Sequence, residues 1–235
     1  MPVDRESATS AADRSLPLTP MRRAIGRAMS LSATIPQFTL QRDVQTAFAA
    51  EHRAAFDAEA RISLTDQLVA AVSRALSIHP RMNSILAESE KRIVELAAIN
   101  VGIAYAIPDG LIAPPIMNAN ERTLPELSRE RRAAAEAAAE GTVSAAALAE
   151  VTFTVSNLGP MGIKSFTALV VPPQAAILAV GATDAEGMMP LSLSCDHRIV
   201  DGAPAAEFLG SVVELLEQPT WMDSIVSKEA GTVGR

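Results

Sequence analysis

Two kinds of apolar pattern alternate along this chain, and that alternation restricts its fold more than any other feature. Runs such as FTLQRDV (38–44), VTFTVSN (151–157), AAILAVGA (175–182) and LSLSC (191–195) read as strands. Stretches with helical spacing precede, divide and follow these runs. Strands interleaved with helices bury one face of a sheet against the apolar stripes of the helices, which predicts an α/β fold. The strand-like runs lie near both ends of the sequence, so they can share one sheet and one domain from about residue 16.

The helical stretches carry their own start and stop signals. Thr19 caps a helix with Pro20 in its first position and Met21, Ile25 and Met29 along one face. Ser63 and Asp66 have capping-box spacing before Leu68, Val69, Val72 and Leu76, and His79-Pro80 ends that helix. The segment RIVELAAINVGIAYAIPDGLIAPPI (92–116) predicts two or three strands around an Asp109-Gly110 turn. A helix follows over 123–141 with Gly141 as its stop, and a last one over 205–219. Residues 1–15 are polar and read as a disordered leader or linker.

Composition narrows the function classes. A net charge of −7 argues against a nucleic-acid partner, whose phosphates would have to be neutralised by a basic surface. No apolar run reaches the 18 residues of a membrane span, and the first 15 residues lack the apolar core of a secretory signal. The expectation is a cytoplasmic protein. A single cysteine, Cys195, rules out an intrachain disulfide and gives no cysteine-built metal site.

The chemistry concentrates in SCDHRIVDGAP (194–204), between an apolar strand and an apolar helix. Strand parity places Leu191, Leu193, Cys195 and His197 on one face and Ser192, Ser194 and Asp196 on the other. His197 then emerges where the core face runs out. Histidine exchanges a proton near neutral pH, and Asp201, four residues on, can orient its ring or brace the loop. A helix-entry turn with an incidental histidine fits the same letters. His52 and His79, the other two histidines, read as solvated or structural. A second feature is TFTVSNLGPMGIKSF (152–166), a strand ending in Ser156 and a glycine-rich bend. A hydroxyl there suits donation to a developing oxyanion, although a turn cap is the commoner use. A serine hydrolase is disfavoured because no G-x-S-x-G elbow is present.

Taken together, PMRRAIGRAMSLSATIPQFTL, VGIAYAIPDGLIAPPI, TFTVSNLGPMGIKSF, VVPPQAAILAVGA and LSLSCDHRIVDGAPAAEFL stand in an order that closely resembles the catalytic domain of the dihydrolipoamide acyltransferases. These are the core subunits of the 2-oxo acid dehydrogenase complexes. The resemblance covers roughly residues 17–222. It implies a fold like chloramphenicol acetyltransferase, a two-layer α/β sandwich with a mixed sheet, trimeric, with active sites between subunits. It also implies transfer of an acyl group from S-acyldihydrolipoamide to coenzyme A, with His197 as general base. Ser156, from the neighbouring chain, is the implied oxyanion donor. Asp201 has an orienting or structural role, and Gly202 is the glycine that allows the turn. The acetyl-transferring, pyruvate-type members are the most similar. The implied organisation is a leader over 1–15, an acyltransferase domain over 16–222 and a polar tail over 223–235. The implied partners are a homotrimer or larger assembly, a lipoyl domain and other components of a dehydrogenase complex.

Some letters depart from the family pattern. No lipoylation site is evident, so lipoamide is expected in trans or from a domain absent from this chain. Only TDAEGMMP (183–190) joins two strands where the family has a longer pair, which puts the sheet edge and part of the trimer contact in question. Pro115 stands where an apolar strand residue is usual, and the tail lacks the apolar C-terminus that joins trimers into cages. Cys195 shares parity with His197, so a Cys–His nucleophile pair is conceivable, but apolar packing is favoured. No coenzyme A contact is assignable; Arg22, Arg23 and Arg27 form either a solvated helix face or a partner for Asp201. Two alternatives remain: a related coenzyme A-dependent acyltransferase acting on another small acceptor, and a non-catalytic assembly scaffold.

Overall fold

The computed structural model describes residues 16–223 except Asp57, Glu88 and Glu90. The expected leader and all but the first residue of the expected tail lie outside the described residues. The strands are β1 (Gln37–Gln45), β2 (Ser84–Ala87), β3 (Arg92–Glu95), β4 (Val101–Ile103), β5 (Tyr105–Ile107), β6 (Gly110–Ile112), β7 (Pro115–Ile116), β8 (Phe153–Asn157), β9 (Ala176–Val180) and β10 (Met188–Asp196). The helices are α1 (Pro20–Ser32), α2 (Ala47–Ala54), α3 (Leu64–Ile78), α4 (Leu124–Glu140), α5 (Ala145–Ala149) and α6 (Gly202–Glu217).

Six of these strands form the central sheet in the order β1-β10-β9-β8-β4-β7. β8 runs parallel to both β9 and β4, and the other three pairings are antiparallel, so the sheet is mixed as expected. The outermost strands, β1 and β7, both come from the first half of the sequence, and β8, β9 and β10 between them from the second. Period-two alternation gives the sheet its core face, with Phe153 and Val155 on β8 and Leu191, Leu193 and Cys195 on β10 all fully buried. Helices α3 and α6 pack over that face, and Phe208 of α6 meets Phe153 with ring centroids 5.7 Å apart. Helix α1 lies over the opposite face.

The local signals act where they were read. Thr19 accepts from the Arg22 N–H, and Ser63–Asp66 forms a complete capping box. Gly141 closes α4 at φ +70°, and a second box, Thr123–Glu126, opens that helix without having been expected. The buried Asp66 carboxylate also accepts the Arg131 Nε–H at 2.6 Å, tying α3 to α4.

Three expectations need correction. Residues 92–116 form five short strands rather than two or three. The chain pairs with β2 as β3, joins the main sheet as β4, leaves it for the β5–β6 hairpin, and returns as β7, so one apolar run serves three sheets. The short 183–190 connection does not shorten the sheet, because Met188–Pro190 already belong to β10, which pairs with β1 over nine residues. The turn is tight because the Asp184 carboxylate accepts the Glu186 and Met188 N–H groups at 3.1 and 2.8 Å, and Gly187 takes φ +81°. Pro115 sits on the edge strand β7, where a missing donor is tolerated.

Candidate active site

β10 ends in a turn built around Asp196. The Ile199 and Val200 N–H groups both donate to the Asp196 carbonyl at 3.0 Å, while the Asp196 N–H donates to Ala175. Ile199 and Val200 then enter the core, which pins the far side of the turn. Only His197 and Arg198 point outward between two buried anchors. Asp201 follows in extended conformation as the N-cap residue of α6, and Pro204 falls in the first helical turn, where its missing N–H costs nothing.

His197 is held by its backbone and leaves its ring available. Its N–H donates to the Pro36 carbonyl at 2.8 Å, and its side chain remains 51% exposed. The Phe38 ring walls one side with centroids 4.7 Å apart. Nδ1 lies 3.5 Å from the Asp201 Oδ1, an ion-pair separation for a protonated ring and a long one for a hydrogen bond. The Asp201 carboxylate is turned toward the imidazole and makes no capping hydrogen bond to α6. With Nδ1 facing Asp201, Nε2 is the nitrogen left for a substrate proton.

Ser156 lies on the opposite sheet face from the core, on β8, and is 8% exposed. It opens into a cavity of about 510 Å³ between α1 and the sheet, walled mainly by apolar groups such as Met21, Ile25, Met29 and Ile177. Two other polar groups there satisfy each other, since the Thr154 hydroxyl donates to Gln174 Oε1 at 2.7 Å. The Ser156 hydroxyl has no hydrogen-bond partner among the described residues. The bend beyond it requires close backbone approach: a Cβ on Gly159 would stand 2.6 Å from the Gly181 carbonyl oxygen.

The register brings His197 and Asp201 together but not Ser156. Ser156 pairs with Ala179, which pairs with Ser192, so Ser156 and His197 are two strands apart and five residues out of step. At about 4.8 Å per strand and 3.3 Å per residue, the backbones lie on the order of 19 Å apart. No rotamer closes that gap within one chain.

The remaining candidates resolve as follows. His52 Nε2 lies 2.9 Å from Asp223 Oδ1, and His79 Nε2 lies 2.9 Å from the Ser211 hydroxyl, so both have structural partners, as expected. Cys195 is sealed in the core; burial first, and then the Asp196 carboxylate, push its thiol up to about 12. Packing rules out a Cys–His nucleophile pair, because a fully buried thiol has no access to a substrate. Arg22, Arg23 and Arg27 make no ion pair with Asp201 among the described residues. Gly202 needs correction. It has no left-handed φ, and a Cβ there would meet nothing within 4 Å, so the turn itself does not demand glycine. Phe38 and the Asp196–Arg198 pair join the site without a sequence expectation; the second was legible as opposite charges flanking the histidine. Among the described residues, no cluster of His, Cys, Asp and Glu could hold a metal ion, and no helix is long and apolar enough to cross a membrane.

Comparison with known proteins gives this arrangement a family. The family model of the 2-oxoacid dehydrogenases acyltransferase (catalytic domain) matches residues 10–223. The acetyltransferase component of the pyruvate dehydrogenase complex of Rickettsia conorii is 36% identical over 177 residues; the match takes in 71% of this chain but only 42% of that protein. A dihydrolipoamide acetyltransferase structure from Azotobacter vinelandii superimposes with a TM-score of 0.85 at 29% identity, covering 94% of this chain and 98% of that one. That structure was solved to examine a serine, a histidine and an asparagine four residues beyond it in catalysis. Chloramphenicol acetyltransferase shares the fold, with a TM-score of 0.56 at 18% identity over 81% of this chain and 94% of the other. By its sequence blocks, its mixed sheet and these matches, the chain belongs to the family of 2-oxoacid dehydrogenase acyltransferase catalytic domains.

Proposed function

We propose that this protein transfers an acyl group, in the first instance acetyl, between dihydrolipoamide and coenzyme A. The site would form between subunits of a trimer in the cytoplasm, as part of a 2-oxo acid dehydrogenase complex whose lipoyl domain presents the donor. The single observation that carries the reading is the division of labour on one sheet: an exposed imidazole backed by a carboxylate at one place, and an unpartnered serine hydroxyl facing an apolar cavity at another. Their separation of about 19 Å in one chain is what a site shared between two chains requires. In this reading Ser156 and His197 are matched to the Azotobacter protein's serine and histidine. Asp201 stands four residues on, where that protein has asparagine, so ring orientation here falls to a carboxylate.

The chemistry follows from these positions. A thiol is mostly protonated at neutral pH, with an ordinary pKa of about 8.5. His197 Nε2 takes the proton from the coenzyme A thiol as its sulfur attacks the thioester carbonyl. The new C–S bond places negative charge on the carbonyl oxygen, and the Ser156 hydroxyl donates a hydrogen bond to it. As the tetrahedral intermediate collapses, the bond to the dihydrolipoyl sulfur breaks, and that sulfur takes the proton back from the imidazolium. Atoms and charge balance without a metal or redox step.

A mixing experiment tests the shared site. His197→Ala and Ser156→Ala chains should each be nearly inactive alone in acetyl transfer between acetyl-coenzyme A and dihydrolipoamide. Co-refolded in equal amounts, random hybrid trimers should recover about a quarter of wild-type activity, because each hybrid ring holds one intact interface. No recovery in verified mixed trimers would place both groups in the same chain's site and defeat the reading.

A further inference from the structure

Two charged residues beside His197 take no part in the proton transfer described above. The Asp196 carboxylate is 2% exposed, and it receives four hydrogen bonds from Arg198. The Arg198 backbone N–H donates to Oδ1 at 2.9 Å and Nε–H to Oδ1 at 3.0 Å. Nε–H also reaches Oδ2 at 3.2 Å, and the Nη2 group donates to Oδ2 at 2.8 Å. The pair therefore spans a single residue, and that residue is His197.

We infer that Asp196 and Arg198 are positioning residues, a fork-to-carboxylate clamp that fixes the backbone of His197 so that its Nε2 faces the substrate thiol. The inference rests on the reading of His197 as the base. Stability alone is a poor account of the pair, since desolvating a carboxylate offsets much of what an arginine partner returns, and apolar residues hold turns as well. A planar guanidinium gripping both carboxylate oxygens instead supplies direction. The clamp acts with three other restraints on the same turn: the His197 N–H on Pro36, and the Ile199 and Val200 N–H groups on the Asp196 carbonyl. With the backbone fixed on both sides, the ring needs only Phe38 and Asp201 to select its rotamer. Without the clamp, the ring can drift by a fraction of an ångström, which is enough to slow a proton transfer that depends on alignment.

The test compares Arg198→Met, Arg198→Lys, Asp196→Asn and the double Asp196→Asn/Arg198→Met in the full chain, with kcat and KM measured per folded site for acetyl-coenzyme A and dihydrolipoamide. Arg198→Met and Asp196→Asn should lower kcat by about tenfold to a hundredfold with each KM within about twofold. Arg198→Lys should recover only part of the loss, because a point charge replaces a fork. The double variant should be no slower than the slower single, as two halves of one device. If Asp196→Asn does not fold, the two Arg198 variants decide alone, because that side chain is 33% exposed. An unchanged kcat per folded site, with only the melting temperature lowered, would reduce the pair to a structural tie. His197→Ala is the control: if it keeps wild-type kcat, the base reading itself has failed, whereas an inactive His197→Ala beside a normal Arg198→Met overturns the clamp alone.

Discussion

The two faces of β10 differ by one residue of register and by nearly every property that follows from it. On one, Leu191, Leu193 and Cys195 pack into the core beneath α3 and α6. On the other, Ser192, Ser194 and Asp196 are just as buried but polar. Ser194 meets Thr39 of β1 at 3.2 Å, and Ser192 accepts the Gln41 amide at 3.2 Å. The first face needs only aliphatic volume, which many residues supply. The second must satisfy each hydrogen bond it buries, so it constrains both residue type and geometry. That polar row ends at Asp196, next to His197, and the same side of the sheet carries Ser156. Burial thus does not distinguish the two faces. The kind of interaction does: the polar row leads to Asp196 and shares its side with Ser156, whereas the His197 ring packs on Phe38, which shares the apolar side with Cys195.

That contrast can be broken or sharpened by substitution. The largest effect belongs to the turn beyond β10: His197→Ala should lower kcat for acetyl transfer by about a thousandfold with the fold intact, checked by steady-state assay beside circular dichroism. A rate near wild type would separate this turn from catalysis. On the apolar side, Leu193→Ala should destabilise by about 2–5 kcal/mol in denaturant titration. Its kcat per folded molecule should stay within about twofold, because the lost contacts lie in the core, four residues back along the chain from His197. A large fall in kcat would mean that the two faces are mechanically coupled.

Cys195 gives a finer test of the same boundary. With its thiol raised to about 12 and no exposure, native protein at neutral pH should take up no iodoacetamide within an hour, by mass spectrometry, and should react only once unfolded. Labelling at the rate of a free thiol would place Cys195 on an open surface. The smallest effect lies away from the sheet, at the α4 capping box. The Glu126 carboxyl is held below its ordinary 4.5, mainly by the Thr123 backbone N–H. A depressed carboxyl adds stability that is complete above its unfolded pKa and is lost as pH falls through the folded one. Glu126→Gln should therefore melt slightly below wild type at neutral pH, and the gap should close as pH falls below 4.5. A gap that persists in acid would mean that the side chain acts through packing.

Much of this was legible in the letters because it is local. Capping boxes at Ser63 and Thr123 act over three residues, and Gly141 stops its helix by its own backbone freedom. The parity of LSLSC follows from the pleat. What escaped notice was shorter or less regular. Helix α2 has no side-chain cap, and α5 is five residues long. The β4-to-β7 segment reads as one apolar run until its pieces are assigned to different sheets. Gly202 misled for the opposite reason: its place in a signature suggests backbone necessity, yet its conformation is ordinary.

The sequence by itself determined the order of elements, the family resemblance and the residue types available for proton transfer and oxyanion binding. Only the tertiary structure decided that Cys195 lies in the core, that the Asp201 carboxylate turns to the ring instead of capping α6, and that Ser156 lies two strands away from His197. The physical reason is one of range. Periodicity and caps are set by neighbours along the chain, whereas strand order and register emerge from pairings between residues more than a hundred positions apart, such as Phe38 with Cys195.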